Sequence, residues 1–450
     1  MKLRRHLATY EDGRPTRPRR AWRWWLVAAV VVALSAGLYY WLVPSAPVAT
    51  RPTPKAVATT PPAAPDKPGK VLGIDSVVHM TAPEATALAH QNYGAVTLAA
   101  ATGVTKVVFR YRSQLPGGQP IAVYGRAYLP DGAAKHPIWA FAPGTTGIGD
   151  ACAASLERPQ VSNWANYDSH MTEYAGQGYA GVITDYEGMR DPTRLHHYMV
   201  GELEGRAVLD SIRAMTQLPQ AVGRVDVGAI FLAGYSQGGH AAYWADKIQP
   251  QYAPELPALG VVGFGPVMSV KDTLADVTHA ANINWFGPYV FTSLADYYGH
   301  HYDLTALLQP RWIPTLAADV QRHCIDTVLP YWGRDPAAVY TPGLIAAMSS
   351  GDWTAFPQLE ADLNANAVGD QPTTSAKLIN EGEHDNVVLS RQQRGVVPGM
   401  CAASQGPVAY REYPGATHYT TMIVSLRDTL AWMTALRAGQ AVPTTCPPAV

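Results

Sequence analysis

Apolar and polar residues alternate along 104–113 and again along 121–129, with Pro116-Gly117-Gly118 between them. Period-two alternation on both sides of a turn signal predicts an antiparallel hairpin, placed at a sheet edge. Beyond it, short apolar runs alternate with loops and amphipathic stretches. Residues 137–142 and 179–184 read as strands, ending in Pro143-Gly144-Thr145-Thr146-Gly147 and Asp185-Tyr186-Glu187-Gly188. Residues 202–218 carry Ala207, Val208, Ile212 and Met215 at helical spacing. Residues 227–233, 259–264, 376–380 and 408–413 read as further strands, and a last helix from near Thr420 sets Ile423, Leu426, Leu430 and Met433 on one face. The alternation predicts an α/β fold with a mostly parallel central sheet and helices on both faces. Between about 266 and 374 the rhythm fails. Trp285, Phe286, Tyr289, Phe291, Tyr297, Tyr298, Tyr302 and Trp312 cluster there, which suits an inserted cap with an apolar inner face.

The N-terminal part follows different rules. Residues 24–43 are an uncharged run, about 30 Å long as a helix and sufficient to cross a bilayer. Residues 1–23 carry eight Lys and Arg against Glu11 and Asp12, an excess that predicts a cytoplasmic N-terminus. Trp24, Trp25, Tyr39, Tyr40 and Trp41 sit at the ends of the run, so it reads as a transmembrane signal anchor, with cleavage and secretion as the alternative. Residues 44–70 are rich in Pro, Ala and Thr and read as an extended linker. Residues 71–450 are then one extracytoplasmic catalytic domain with its cap at about 266–374. A net charge of −1, with no basic patch past residue 23, argues against nucleic acid as a partner. The four cysteines, Cys152, Cys324, Cys401 and Cys446, all follow the membrane run and lack metal-ligand spacing, so two disulfides are expected. No metal and no cofactor are predicted, and nothing in the sequence sets an oligomeric state.

The chemistry is signalled at Gly234-Tyr235-Ser236-Gln237-Gly238. A G-x-S-x-G between an apolar strand and a helix is a nucleophile elbow, in which the turn is too sharp for side chains at the flanking positions. Ser236 is the expected nucleophile. A serine hydroxyl needs a histidine base oriented by a carboxylate, and in this arrangement the order along the chain is Ser, Asp or Glu, His. Asp385 follows the strand at 376–380, and His418 opens the last helix; their separation, 418 − 385 = 33, leaves space for one helix and one strand. Glu383 is the rival acid, and His384 is expected on the outside of the loop. His240 reads as a packed or pocket-lining histidine, and the pairs His196-His197 and His300-His301 are expected to point apart rather than bind metal. The oxyanion donors expected are the N–H of Gln237 and that of Thr145 or Thr146.

Five blocks in this order resemble the secretory lipase family: Pro143 to Gly147 with Cys152 after it, Asp185 to Gly188, Gly234 to Gly239, Gly382 to Val388, and Arg411-Glu412-Tyr413-Pro414-Gly415. The resemblance covers roughly residue 73 to the C-terminus. It implies an α/β-hydrolase with a helical cap, acting on acyl esters up to triacylglycerol. It also implies disulfides pairing Cys152 with Cys324 and Cys401 with Cys446. The N-terminal anchor departs from the family's usual cleaved signal. An acyltransferase or peptidase could use the same three residues, and a binding module on a dead hydrolase scaffold is the alternative outside enzymes.

Overall fold

A computed structural model describes residues 67–158, 164–280 and 282–447. The basic segment 1–23, the predicted anchor at 24–43 and most of the 44–70 linker lie outside the described residues. Among the described residues no helix is long and apolar enough to cross a membrane. Residues 67–70, the end of the proline-rich stretch, already dock on the domain: Gly69 N–H donates to the Arg112 carbonyl at 2.7 Å.

The described residues form one sheet from β1 (Val71–Met80), β2 (Val104–Gln114), β3 (Pro120–Pro130), β4 (His136–Ala142), β5 (Ala180–Thr184), β6 (Val225–Tyr235), β7 (Ala258–Phe264), β8 (Ala376–Gly382) and β9 (Val408–Tyr413). The order is β1-β2-β3-β5-β4-β6-β7-β8-β9. β1, β2, β3 and β5 pair antiparallel; all pairings from β5 through β4 to β9 are parallel. The expected hairpin is present, but not at the edge. β1 covers it, and most of β1 is exposed, so its sequence lacks the alternation that marks a half-buried strand.

The central parallel strands β4, β5 and β7, and the second half of β6, are apolar on both faces because both faces are covered. Ile138, Ala140, Ile230 and Leu232 point to the side where helices Gly201–Met215 and Gln237–Tyr252 pack together. Their neighbours Trp139, Phe141, Phe231 and Ala233 point to the side of helices Tyr167–Gly176 and Leu426–Arg437. β4 has β5 on one side and β6 on the other. The order therefore reverses at β4, and a crevice opens at the carboxyl ends of β4 and β6, the position where ligands bind in open α/β sheets.

Between β7 and β8 the chain is mainly helical, with helices Val270–Ala275, Phe286–Tyr298, Leu304–Leu307, Leu316–Arg322, Ile325–Trp332, Pro342–Ser350 and Pro357–Ala365. They share a separate apolar core that buries Phe286, Tyr289, Phe291, Trp332 and Tyr340. The Cys152–Cys324 disulfide ties this insertion to the loop after β4. Cys401–Cys446 ties helix Ser390–Ala403 to the C-terminal segment and closes a 45-residue separation. The chain-entropy model gives such a link about 4 kcal/mol.

Candidate active site

β6 delivers Ser236 at its carboxyl end, and helix Gln237–Tyr252 begins at the next residue. Ser236 has φ 57° and ψ −118°, a backbone conformation that costs on the order of 1–3 kcal/mol and persists only when its surroundings enforce it. They do so here: Ser236 N–H donates to the Phe264 carbonyl at 2.9 Å, and its own carbonyl accepts from Val267 N–H at 3.2 Å. The flanking glycines meet the elbow's steric demand. A Cβ on Gly234 would lie 1.9 Å from the Gly238 carbonyl oxygen, and one on Gly238 would lie 1.9 Å from the Ala142 oxygen.

Asp385 sits in the loop after β8. Its Oδ1 accepts from the N–H groups of Val387 and Val388, both at 2.9 Å. Its Oδ2 lies 2.6 Å from His418 Nδ1. With Nδ1–H committed to the carboxylate, His418 Nε2 is left as the proton acceptor. The Tyr235 ring stands 4.8 Å from the imidazole, centre to centre. Gly265 makes room for the pair: a Cβ there would come within 2.9 Å of His418 Nδ1 and 3.0 Å of Asp385 Oδ2. Ser236 and His418 line one cavity of about 400 Å³. Thr145, Trp285, Ile325, Leu329 and Tyr419 line it too. A larger open cavity of about 710 Å³ beside Lys67 and Arg213 contains none of these groups.

The other predicted residues separate clearly. Glu383 and His384 are exposed, and the Glu383 carboxylate accepts from Gly415 N–H at 2.9 Å, so it holds a turn rather than the imidazole. Thr145 faces the cavity and its Oγ1 lies 2.7 Å from the Tyr198 hydroxyl. The Thr146 carbonyl instead accepts from Ile325 N–H at 2.9 Å, beside the Cys152–Cys324 link. Gln237 supplies the first N–H of its helix, one of the four that have no intrahelical acceptor. His240 is buried and bonded to Glu204 at 2.6 Å. His196 and His197 do diverge: the first bonds the Glu187 carbonyl at 3.0 Å, and the second bridges the Glu187 carboxylate and Asp296. Burial alone would lower the His197 pKa, but those two carboxylates raise it. His300 pairs with Asp362 at 2.7 Å. Among the described residues no group of three or more His, Cys, Asp or Glu is placed to hold a metal.

Sequence reasoning missed Glu381. It is the penultimate residue of β8, a strand that also carries Lys377 and Asn380, and it is fully buried. One carboxylate oxygen accepts from Gly382 N–H at 3.0 Å. Burial first, and the charge of Asp385 second, push its pKa well above the ordinary 4.5. An acidic residue at the end of a predicted strand, just before the loop that carries Asp385, was the available signal. Because the folded pKa is raised, the unfolded chain loses this proton first, and stability falls as pH climbs from about 4.5 towards the folded value. Glu381→Gln removes that dependence. Its melting temperature should gain on wild type progressively from pH 5 to 8, as read by circular dichroism; parallel curves would contradict the assignment.

The sequence model of the secretory lipase family matches residues 167–443. Lipase 6 of Candida albicans (strain SC5314 / ATCC MYA-2876) is 26% identical over 274 residues, covering 58% of this chain and 56% of that protein. Lipase A of Moesziomyces aphidis is 31% identical over 161 residues, 35% of this chain and 30% of that one. The match thus spans about half, or less, of the length of these curated relatives. Among solved structures, a putative hydrolase from Legionella pneumophila superposes with a TM-score of 0.70 at 18% identity, covering 82% of this chain and 100% of that one. Candida antarctica lipase A in its closed state gives 0.62 at 20% identity, covering 85% and 86%. These likenesses establish the α/β-hydrolase fold.

Proposed function

Because the chain belongs to the secretory lipase family, we propose that it hydrolyses carboxylic esters of the acyl or lipid class through an acyl-enzyme on Ser236. One observation carries the reading. The His418–Asp385 pair, at 2.6 Å, opens into the same cavity as a serine held on a strained elbow. Ser236 Oγ attacks the ester carbonyl as His418 Nε2 takes its proton, and Asp385 stabilises the imidazolium. Main-chain N–H groups of Gln237 and of the 145–146 loop receive the oxyanion. Thr145 is favoured there because it lines the cavity. His418 then protonates the leaving alcohol, and water repeats the sequence to release the acid.

A cavity of about 400 Å³ stands near the small end of the ~300–1,000 Å³ range of ligand sites. It favours short and medium acyl groups over long ones. A series of p-nitrophenyl esters from C2 to C16, run beside a peptide amide, tests the reading: kcat/KM should peak at or below about C10, with the amide inert. A preference for the amide would instead make this a peptidase.

The proposed setting is the outer face of a membrane, with residues 1–23 cytoplasmic, 24–43 a retained signal anchor and 44–70 a tether. Since residues 67–70 dock on the domain, the part of the tether before them reaches roughly 70 Å if fully polyproline-like. Two disulfides suit an oxidising compartment. Activity should stay with membranes through a carbonate wash. A mature N-terminus between residues 33 and 50, with activity in the medium, would replace the anchor with secretion.

A further inference from the structure

Behind the elbow lies a buried polar cluster that the proposed reaction does not use. Gln237, immediately after Ser236, is fully buried and turns its carboxamide away from the cavity. Its Nε2 donates to Glu204 Oε1 at 2.7 Å and lies 3.0 Å from His196 Nε2. His196 Nδ1–H is committed to the Glu187 carbonyl at 3.0 Å, which leaves Nε2 as the acceptor facing Gln237. The Tyr186 ring stacks on this imidazole at 5.2 Å. Glu204 Oε1 also accepts from Met199 N–H at 3.1 Å. Both N–H bonds of the Gln237 side chain are therefore taken, by partners on two different segments, and the carboxamide cannot turn over without setting its oxygen against the Glu204 carboxylate.

Glu204 is itself braced. His240 Nδ1 lies 2.6 Å from its Oε2, and His240 Nε2 lies 2.7 Å from the Asn366 carbonyl oxygen. A carbonyl only accepts, so Nε2 carries a proton. Nδ1 then either donates to the carboxylate as imidazolium or accepts from a protonated Glu204. The side chains of both partners are essentially inaccessible, at 0% and 1% exposure. A buried pair of this kind adds little net stability over an apolar filling. What it supplies is a fixed orientation.

We propose that Glu204, braced by His240, is a positioning residue for the oxyanion hole. It clamps Gln237 by the side chain, so that the main-chain N–H of the same residue holds its aim at the developing negative charge. The inference rests on the esterase reading above. It accounts for a buried Glu–His pair beneath a reaction centre it never touches, and for a glutamine after the nucleophile whose side chain faces away from substrate.

The test uses the full-length enzyme and a soluble ester. Loss of a whole oxyanion donor costs about 10²–10³ in kcat, so a loosened donor should cost less. Glu204→Ala should lower kcat about 10- to 100-fold with KM within about twofold, and weaken a boronic-acid transition-state analogue in parallel. Glu204→Gln should restore kcat to within about threefold, since its oxygen can serve Gln237 and Met199 while its NH2 donates to a neutral His240. In a Gln237→Ala background, adding Glu204→Ala should change kcat by less than about twofold. Should Glu204→Ala not fold, Gln237→Ala alone decides: a kcat loss at constant KM supports the clamp, and an unchanged kcat overturns it. A Glu204→Ala enzyme that merely melts earlier, with wild-type kcat per folded molecule, also overturns it. So does a loss that persists in full without Gln237. A wild-type protein without ester turnover is a separate result, which removes the esterase reading and this inference together.

Discussion

Ser236→Ala is expected to cut ester turnover about a millionfold, leaving only the residual catalysis that oxyanion stabilisation and binding provide. The fold should not change. Ser236 engages its neighbours through its main chain, to Phe264, Val267 and His240, and among the described residues no hydrogen bond of the fold uses its hydroxyl. Alanine keeps those main-chain bonds and adds no bulk at a residue only 7% exposed. The melting temperature should therefore stay within a few degrees of wild type. A variant that loses activity together with its fold would say nothing for the nucleophile, so both readings belong in one experiment.

Asp385→Asn should cost on the order of ten thousandfold in kcat, for a reason visible in its bonding. Oδ1 accepts from two main-chain N–H groups, so an asparagine must place its oxygen there and turn its NH2 towards His418. That NH2 donates to Nδ1 and forces the proton onto Nε2, where the imidazole can no longer receive one from Ser236. The pairing survives, but with the wrong tautomer. Glu383→Gln should be mild, because its carboxylate serves only the Gly415 turn. The reverse ranking would move the acid from Asp385 to Glu383.

The readable parts of this chain were those where the two faces of an element differ, or where steric demand is written in glycine. The elbow had both: an apolar strand, then glycines on either side of Ser236. The 33 residues from Asp385 to His418 hold helix Ser390–Ala403 and β9, as the spacing required. Helix Tyr167–Gly176 was not legible because it is buried all round and sets Ser169, His170 and Glu173 inward among apolar neighbours, which erases the amphipathic stripe. The insertion between β7 and β8 escaped for a related reason: its short helices wrap a core of their own, so aromatic residues fall without a single period. Glu204 and His240 are 36 residues apart and meet only because the two helices pack side by side. No local pattern announces such a pair.

The central claim is that Ser236 is an activated nucleophile, and a fluorophosphonate probe tests it most directly. Intact-mass and peptide mapping should find one equivalent of phosphonate, carried on the peptide that contains Ser236, with none on Ser236→Ala and slowed labelling on Asp385→Asn. No labelling of the folded wild-type protein, or equal labelling of Ser236→Ala at another residue, would contradict the account.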